Sequence, residues 1–198
     1  MNEKLNHPLV RLADQIAEQA HRGQQRKWAD DPYIVHPRRV AAMVAGLAGT
    51  DHIDVAAALL HDVVEDTEVN ADKLADLLVA YVPDRGDFIG LTHSRPAEAD
   101  EVQAVLALVL ELTKDYPDDE EKTMSRAEKR ERDWAQLRKV SDRAKRIKMC
   151  DRYDNITGSP MPSGMRKKYK PESLTLVEIC GSVDPDLHRL LLGAIDKM

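Results

Sequence analysis

The chain has 198 residues and a formal net charge of −6. That length accommodates one domain with a substantial core, and the acidic balance argues against a general nucleic-acid binder, so any phosphate site has to be local. The only two cysteines, Cys150 and Cys180, provide neither a disulfide framework nor a zinc ribbon; with no apolar leader and no apolar run long enough to span a bilayer, they point to a cytoplasmic protein without a membrane partner.

Leu9, Leu12, Ala13, Ile16, Ala17 and Ala20 recur at helical spacing between Pro8 and Gly23, which predicts an opening amphipathic helix ending near Arg22. A second helix is expected from about Pro37 to Leu47 and a third from about Ile53 to Asp66. Another, "NADKLADLLVAYV", starts at an Asn cap and stops before Pro83. The segment 83–100 has no clear period and reads as a loop insertion. Helical pattern returns in "EVQAVLALVLELTK" and again from about Ser125 to the terminator Gly158. After the connector "SPMPSG", helices are expected at Lys168 to Cys180 and Asp186 to Lys197. No stretch alternates at hairpin spacing. The expected architecture is a single all-α domain over 1–198, a compact bundle of roughly eight helices by this pattern.

The stretch "AALLHDVVEDT" ends an apolar helix in His61, Asp62, Glu65 and Asp66. On a continuous helix these four share one arc, which alone is as consistent with a solvated helix end as with a site. Two further stretches bear on the choice. In "DDPYIVHPRRV", Pro37 disfavours helical backbone at His36 and should leave it extended at the mouth of the second helix. In "KRIKMCDRYDNITG", Ala144, Ile147, Asp151 and Asn155 form one helical stripe, and a carboxylate beside core residues needs a partner. His36, His61, Asp62 and Asp151 together supply two imidazoles and two carboxylates, a ligand set for a divalent ion such as Mn, Fe or Zn. A carboxylate at Glu65 or Asp66 is placed to take a proton from water. The densely charged segment from Ser125 to Lys148 reads as a solvated face.

The ordered set "RKWADDPYIVHP", "AALLHDVVEDT" and "KMCDRYDNI" resembles the hydrolase domain of RelA/SpoT-type proteins and the stand-alone small alarmone hydrolases, within the HD phosphohydrolase superfamily. The likeness runs over roughly residues 8 to 180. It implies an all-α HD domain that holds one Mn2+ and removes the 3′-pyrophosphate of guanosine tetra- or pentaphosphate, (p)ppGpp, giving GDP or GTP and pyrophosphate. By that resemblance His36, His61, Asp62 and Asp151 are the metal ligands, and Glu65 and Asp66 position or activate the attacking water. Arg26 and Lys27 hold the nucleotide or its phosphates, Asn155 contacts the substrate side, and Tyr169 lies near the nucleoside pocket. Trp28 either stacks on a base or caps the core.

The chain also departs from the family pattern. Its "DRYDN" stands where "DRLHN" is common, so Asp154 replaces a frequent His, and Gly158 sits where many members carry a Thr. These changes keep two other readings in play: an HD-type phosphohydrolase for another nucleotide, such as a nucleoside monophosphate or NADPH, and a non-catalytic nucleotide-binding module. The oligomeric state is left open.

Overall fold

The computed structural model describes residues 3–79 and 99–198. Most of the expected loop at 83–100 lies outside the described residues, and Ala99 and Asp100 already belong to a helix.

After a 3-10 turn at Glu3–Asn6, the chain forms α1 (Pro8–Ala20), α2 (Val35–Gly46), α3 (His52–Leu60), α4 (Val63–Asp66), α5 (Ala71–Val79) and α6 (Ala99–Leu112). There follow α7 (Asp118–Thr123), α8 (Arg126–Lys139), α9 (Asp142–Thr157), α10 (Ser163–Cys180) and α11 (Pro185–Asp196). The all-α expectation holds among the described residues, where the only β feature is an isolated bridge between Gln25 and Pro32.

Helix α3 is the axis of the fold. Its run from Val55 to Leu60 is wholly apolar and buried, and the three consecutive alanines let α1, α2 and α6 pack around it. Its start is fixed by a reciprocal cap. Asp51 Oδ1 accepts from the Ile53 and Asp54 amides, and Asp54 Oδ2 accepts from the Asp51 amide. The apolar cluster around α3 runs from Leu9 to Ile195, and each fully buried Leu or Ile in it contributes about 1.5–3 kcal/mol by burial.

Four boundaries differ from the sequence expectation, each for a local reason. The expected single helix from Ile53 to Asp66 breaks at His61–Asp62, where Asp62 takes φ −103°, ψ −4° immediately before α4 without capping it through its side chain. Helix α2 starts at Val35 rather than Pro37, so His36 lies in its first turn and is not extended. Pro37 there removes an N–H that the first turn of a helix leaves unbonded anyway. The pattern from Ser125 to Gly158 is two helices, because Ser141 caps a new one with its hydroxyl accepting from the Ala144 amide at 3.2 Å. Helix α10 begins at Ser163 rather than Lys168 and carries Pro171 within it. These divisions raise the helix count above the roughly eight read from periodicity.

Candidate active site

Three segments meet at one end of the α3 axis: the first turn of α2, the α3–α4 break, and the middle of α9. The break matters for geometry. Consecutive residues of an unbroken helix point 100° apart, but here His61 Nε2 lies 3.1 Å from Asp62 Oδ2. Helix α9 brings Asp151 Oδ1 to 3.8 Å from the same nitrogen. From α2, His36 Nε2 stands 3.2 Å from Asp151 Oδ1 and 3.5 Å from Asp62 Oδ2. The four residues expected as metal ligands are therefore brought together, with His36, His61 and Asp151 presenting ligand atoms within 4.8 Å of one another.

Both imidazoles are locked in the same sense. His61 Nδ1 lies 2.8 Å from the Ala58 carbonyl, which only accepts, and His36 Nδ1 lies 2.8 Å from Asp154 Oδ2. Each Nδ1 therefore carries the proton, and in the neutral ring each Nε2 turns its lone pair toward the two carboxylates. His61 Nε2 is fully buried and makes no hydrogen bond of acceptable geometry. Two aligned lone pairs, two carboxylates and an orphaned buried nitrogen fit a divalent cation.

The charge balance of the metal-free site supports the same conclusion. Burial pulls the His61 pKa down, but the Asp62 charge beside it and the contacts to Asp151 and Asp62 more than reverse this, to about 10. His36 is also raised, the contacts to Asp151 and Asp154 outweighing its burial. Asp62 and Asp151 are held below the usual carboxylate range, the imidazoles overcoming the effect of burial. Protons and a metal therefore compete for one place. For His61 the folded-state value lies above the ordinary 6.5, so its contribution to stability is full below that pH and is lost as pH rises toward about 10. Chelated protein should accordingly lose denaturant resistance between pH 6.5 and about 10. Metal-loaded protein, in which a cation takes the proton's place, should not. Parallel denaturation midpoints for the two forms across that range check this.

Glu65 and Asp66, on α4, take different positions. Glu65 is half-buried and accepts from the Lys114 amide at 2.6 Å, and burial raises its carboxyl pKa. It faces a cavity of about 330 Å³ that also holds Lys148, Asp151, Asn155 and Tyr169. Asp66 is exposed, its Oδ2 accepting from the Tyr33 hydroxyl at 3.3 Å. The other expected residues line a larger cleft of about 840 Å³ over the same floor, with Arg26, Lys27, Trp28, Arg126, Arg130 and Tyr169 on its walls and His36, Asp62 and Asp151 below. Arg26 is tied to that floor, donating to Asn155 Oδ1 at 3.2 Å and Asp154 Oδ2 at 3.3 Å. Asn155 in turn donates to Asp151 Oδ1. The Arg152 guanidinium stacks 4.5 Å over the Tyr169 ring rather than pairing with Asp151. Trp28 does not cap the core. It is 39% exposed and takes φ 64° at the tip of the turn closed by the Gln25–Pro32 bridge.

Three residues of this centre were not assigned from sequence. Tyr33 donates from its hydroxyl to Asp62 Oδ2 at 2.6 Å; its place three residues before His36, on the same entry turn, was the available signal. Asp154 appeared only as a departure from a motif, yet it orients His36. Lys148 belongs to the segment read as solvated, but its Nζ stands 4.0 Å from Asp151 Oδ2, and the nearby carboxylates raise its pKa against the effect of burial. Its i−3 spacing from Asp151 puts it on the site face of α9.

Gly158, the other departure, packs directly against Asp154. A Cβ at Gly158 would stand 2.7 Å from both the Asp154 carbonyl oxygen and its Oδ1, closer than a side chain tolerates.

The family model for the HD domain matches residues 13–176. The GTP pyrophosphokinase of Streptomyces antibioticus is 42% identical over 94 residues, 48% of this chain and 10% of that protein. The guanosine-3′,5′-bis(diphosphate) 3′-pyrophosphohydrolase of Haemophilus influenzae is 37% identical over 103 residues, 50% of this chain and 15% of that protein. The chain thus spans only 10% to 15% of the length of these two relatives. Among solved structures, one described as "A metazoan ortholog of SpoT hydrolyzes ppGpp and plays a role in starvation responses" superposes with a TM-score of 0.73 at 25% identity, covering 96% of this chain and 95% of that one. A protein from Listeria monocytogenes shares the fold at 22% identity and a TM-score of 0.54. With its family match extending from α1 well into α10, this chain belongs to the HD domain family.

Proposed function

We propose that the protein is a divalent-metal-dependent pyrophosphohydrolase that removes the 3′-pyrophosphate of (p)ppGpp, giving GDP or GTP and pyrophosphate, in the cytoplasm and with Mn2+ as its ion. The observation that carries this reading is the pair of imidazoles with Nδ1 engaged and Nε2 aimed at Asp62 and Asp151, on the floor of a cleft walled by guanidinium and ammonium groups. The relatives named for the same hydrolysis supply the substrate.

In this reading His36, His61, Asp62 and Asp151 hold the ion, which when bound supplies Lewis acidity toward water and phosphate oxygens. Water adds to the phosphorus attached at the ribose 3′ oxygen, that P–O bond breaks, and a proton ends on the 3′ oxygen. Glu65 takes the proton from the attacking water, its raised pKa making it a better base than an exposed carboxylate. Asp66, held by Tyr33, orients that water from the other side. Arg26 and Asn155 form a polar ledge beside the ligands, and Lys27, Arg126 and Arg130 supply cationic contacts for phosphates. This basic wall meets the local-site requirement that a net charge of −6 imposes.

Trp28 stacks on the base. A left-handed φ costs a non-glycine residue on the order of 1–3 kcal/mol and marks positions held for function. Replacing Trp28 with Gly should raise KM about tenfold, within the ~1–3 kcal/mol of a base–aromatic stack, leave kcat nearly unchanged, and not lower Tm. Steady-state kinetics beside a thermal melt test both halves.

A second reading, the same chemistry on another nucleotide, draws on Asp154 and Gly158 replacing the family's common residues beside the cleft. Incubation with ppGpp, NADPH and nucleoside monophosphates, with and without Mn2+, and chromatography of the products decides between them. GDP and pyrophosphate from ppGpp alone support the first reading; phosphate release from the others without GDP from ppGpp replaces it.

A further inference from the structure

A second cluster of metal-type ligands stands at the opposite end of α3. His7 joins the 3-10 turn to α1, His52 is the first residue of α3, and Glu101 is the third residue of α6. Their ligand atoms lie within 4.8 Å of one another. His52 Nε2 stands 3.1 Å from Glu101 Oε1, and the His7 and His52 rings are stacked at 3.8 Å with 29° between their planes. All three side chains are half-buried. They rest on elements that pack directly on one another, α3 against α1, α6 and the 3-10 turn, so the backbone holds them in place whether or not an ion is bound.

We propose that His7, His52 and Glu101 form a second, structural site for a borderline divalent transition ion of the Zn2+ or Co2+ class. Two imidazoles and one carboxylate are a His2Glu set, and its nitrogen content favours such ions over Mg2+ or Ca2+. Four-coordinate zinc with ligands at about 2.0–2.1 Å sets neighbouring ligand atoms roughly 3.4 Å apart. The His52–Glu101 separation already lies near that spacing. The two rings, stacked 29° from parallel, open about their side-chain torsions for both in-plane lone pairs to meet one ion, and half-buried side chains have room for that movement. Binding through Nδ1 gives up the hydrogen bond that His7 Nδ1 accepts from the Leu9 amide at a long 3.4 Å. A neutral imidazole has a single lone pair, and the ion takes it. Water completes the coordination on the exposed side. His61 lies nine residue steps beyond His52, about 13 Å along a helix, so this site is independent of the first and serves as a clip joining the start of α1, the start of α3 and the start of α6.

The test is a metal count. Tag-free full-length protein is stripped with chelator, dialysed against Zn2+ and separately against Co2+, and metal per chain is measured by atomic emission. Two ions per wild-type chain are expected, falling to one in His52→Ala and to one in Glu101→Ala, while Asp62→Ala also keeps one, that held by His7, His52 and Glu101. A single ion in the wild type, or two that persist in both His52→Ala and Glu101→Ala, overturns the proposal. Neither result depends on which nucleotide is hydrolysed.

Discussion

Asp62→Ala is expected to abolish both tight metal binding at the His36–His61 centre and turnover. Asp62 Oδ2 is the one atom that approaches both His61 and His36 while also accepting from Tyr33. Its loss removes one of the two carboxylates that face the imidazole Nε2 atoms, leaving Asp151 as the other. Activity should fall at least a thousandfold, roughly 4 kcal/mol of transition-state stabilisation. The fold should survive, because Asp62 sits at a break between helices rather than in the apolar cluster. Metal analysis, circular dichroism and product chromatography on one sample measure the three effects separately. A variant that retains its ion and full turnover would remove this site from the chemistry.

Glu65→Gln should lower kcat by about a hundredfold to ten-thousandfold, the usual worth of a positioned base, with the metal content unchanged. Glutamine keeps the side-chain length and an acceptor for the Lys114 amide, so geometry is retained and only the basic oxygen is lost. Burial raises the Glu65 pKa. The acidic limb of the wild-type rate profile should therefore lie above the ordinary carboxylate value of 4.5, since the base works only when ionised. That limb should vanish or move in the glutamine variant. A pH profile of kcat for both proteins decides the assignment, and an unchanged kcat would pass the role to Asp66.

Much of this was readable from sequence because the signals were local. The cap at Asn70, apolar stripes and terminating glycines are written within a few residues, and so were the longer helices, whereas the short α7 carried no such signal. The four proposed ligands could be grouped from sequence because imidazoles and carboxylates beside apolar stripes need partners. What escaped was of two kinds. The break at His61–Asp62 leaves the apolar period uninterrupted, so only tertiary packing reveals that the helix bends to aim Asp62. The partners Tyr33 and Asp154 lie far in sequence from the atoms they touch, His36 and Asp154 being 118 residues apart. A charged stretch also looks the same whether its last lysine faces water or a carboxylate.

The close approach of Gly158 to Asp154 links residues four apart on one helix turn to an imidazole on another helix. Asp154 fixes His36 and pairs with Arg26, while Arg39 of α2 donates to the Gly158 carbonyl at 2.9 Å. A bulkier residue at 158 would push the carboxylate aside and swing the imidazole it anchors. Any side chain at 158 meets both the Asp154 carboxylate and its backbone carbonyl, so the bare glycine is what leaves Asp154 free to keep its hold on His36.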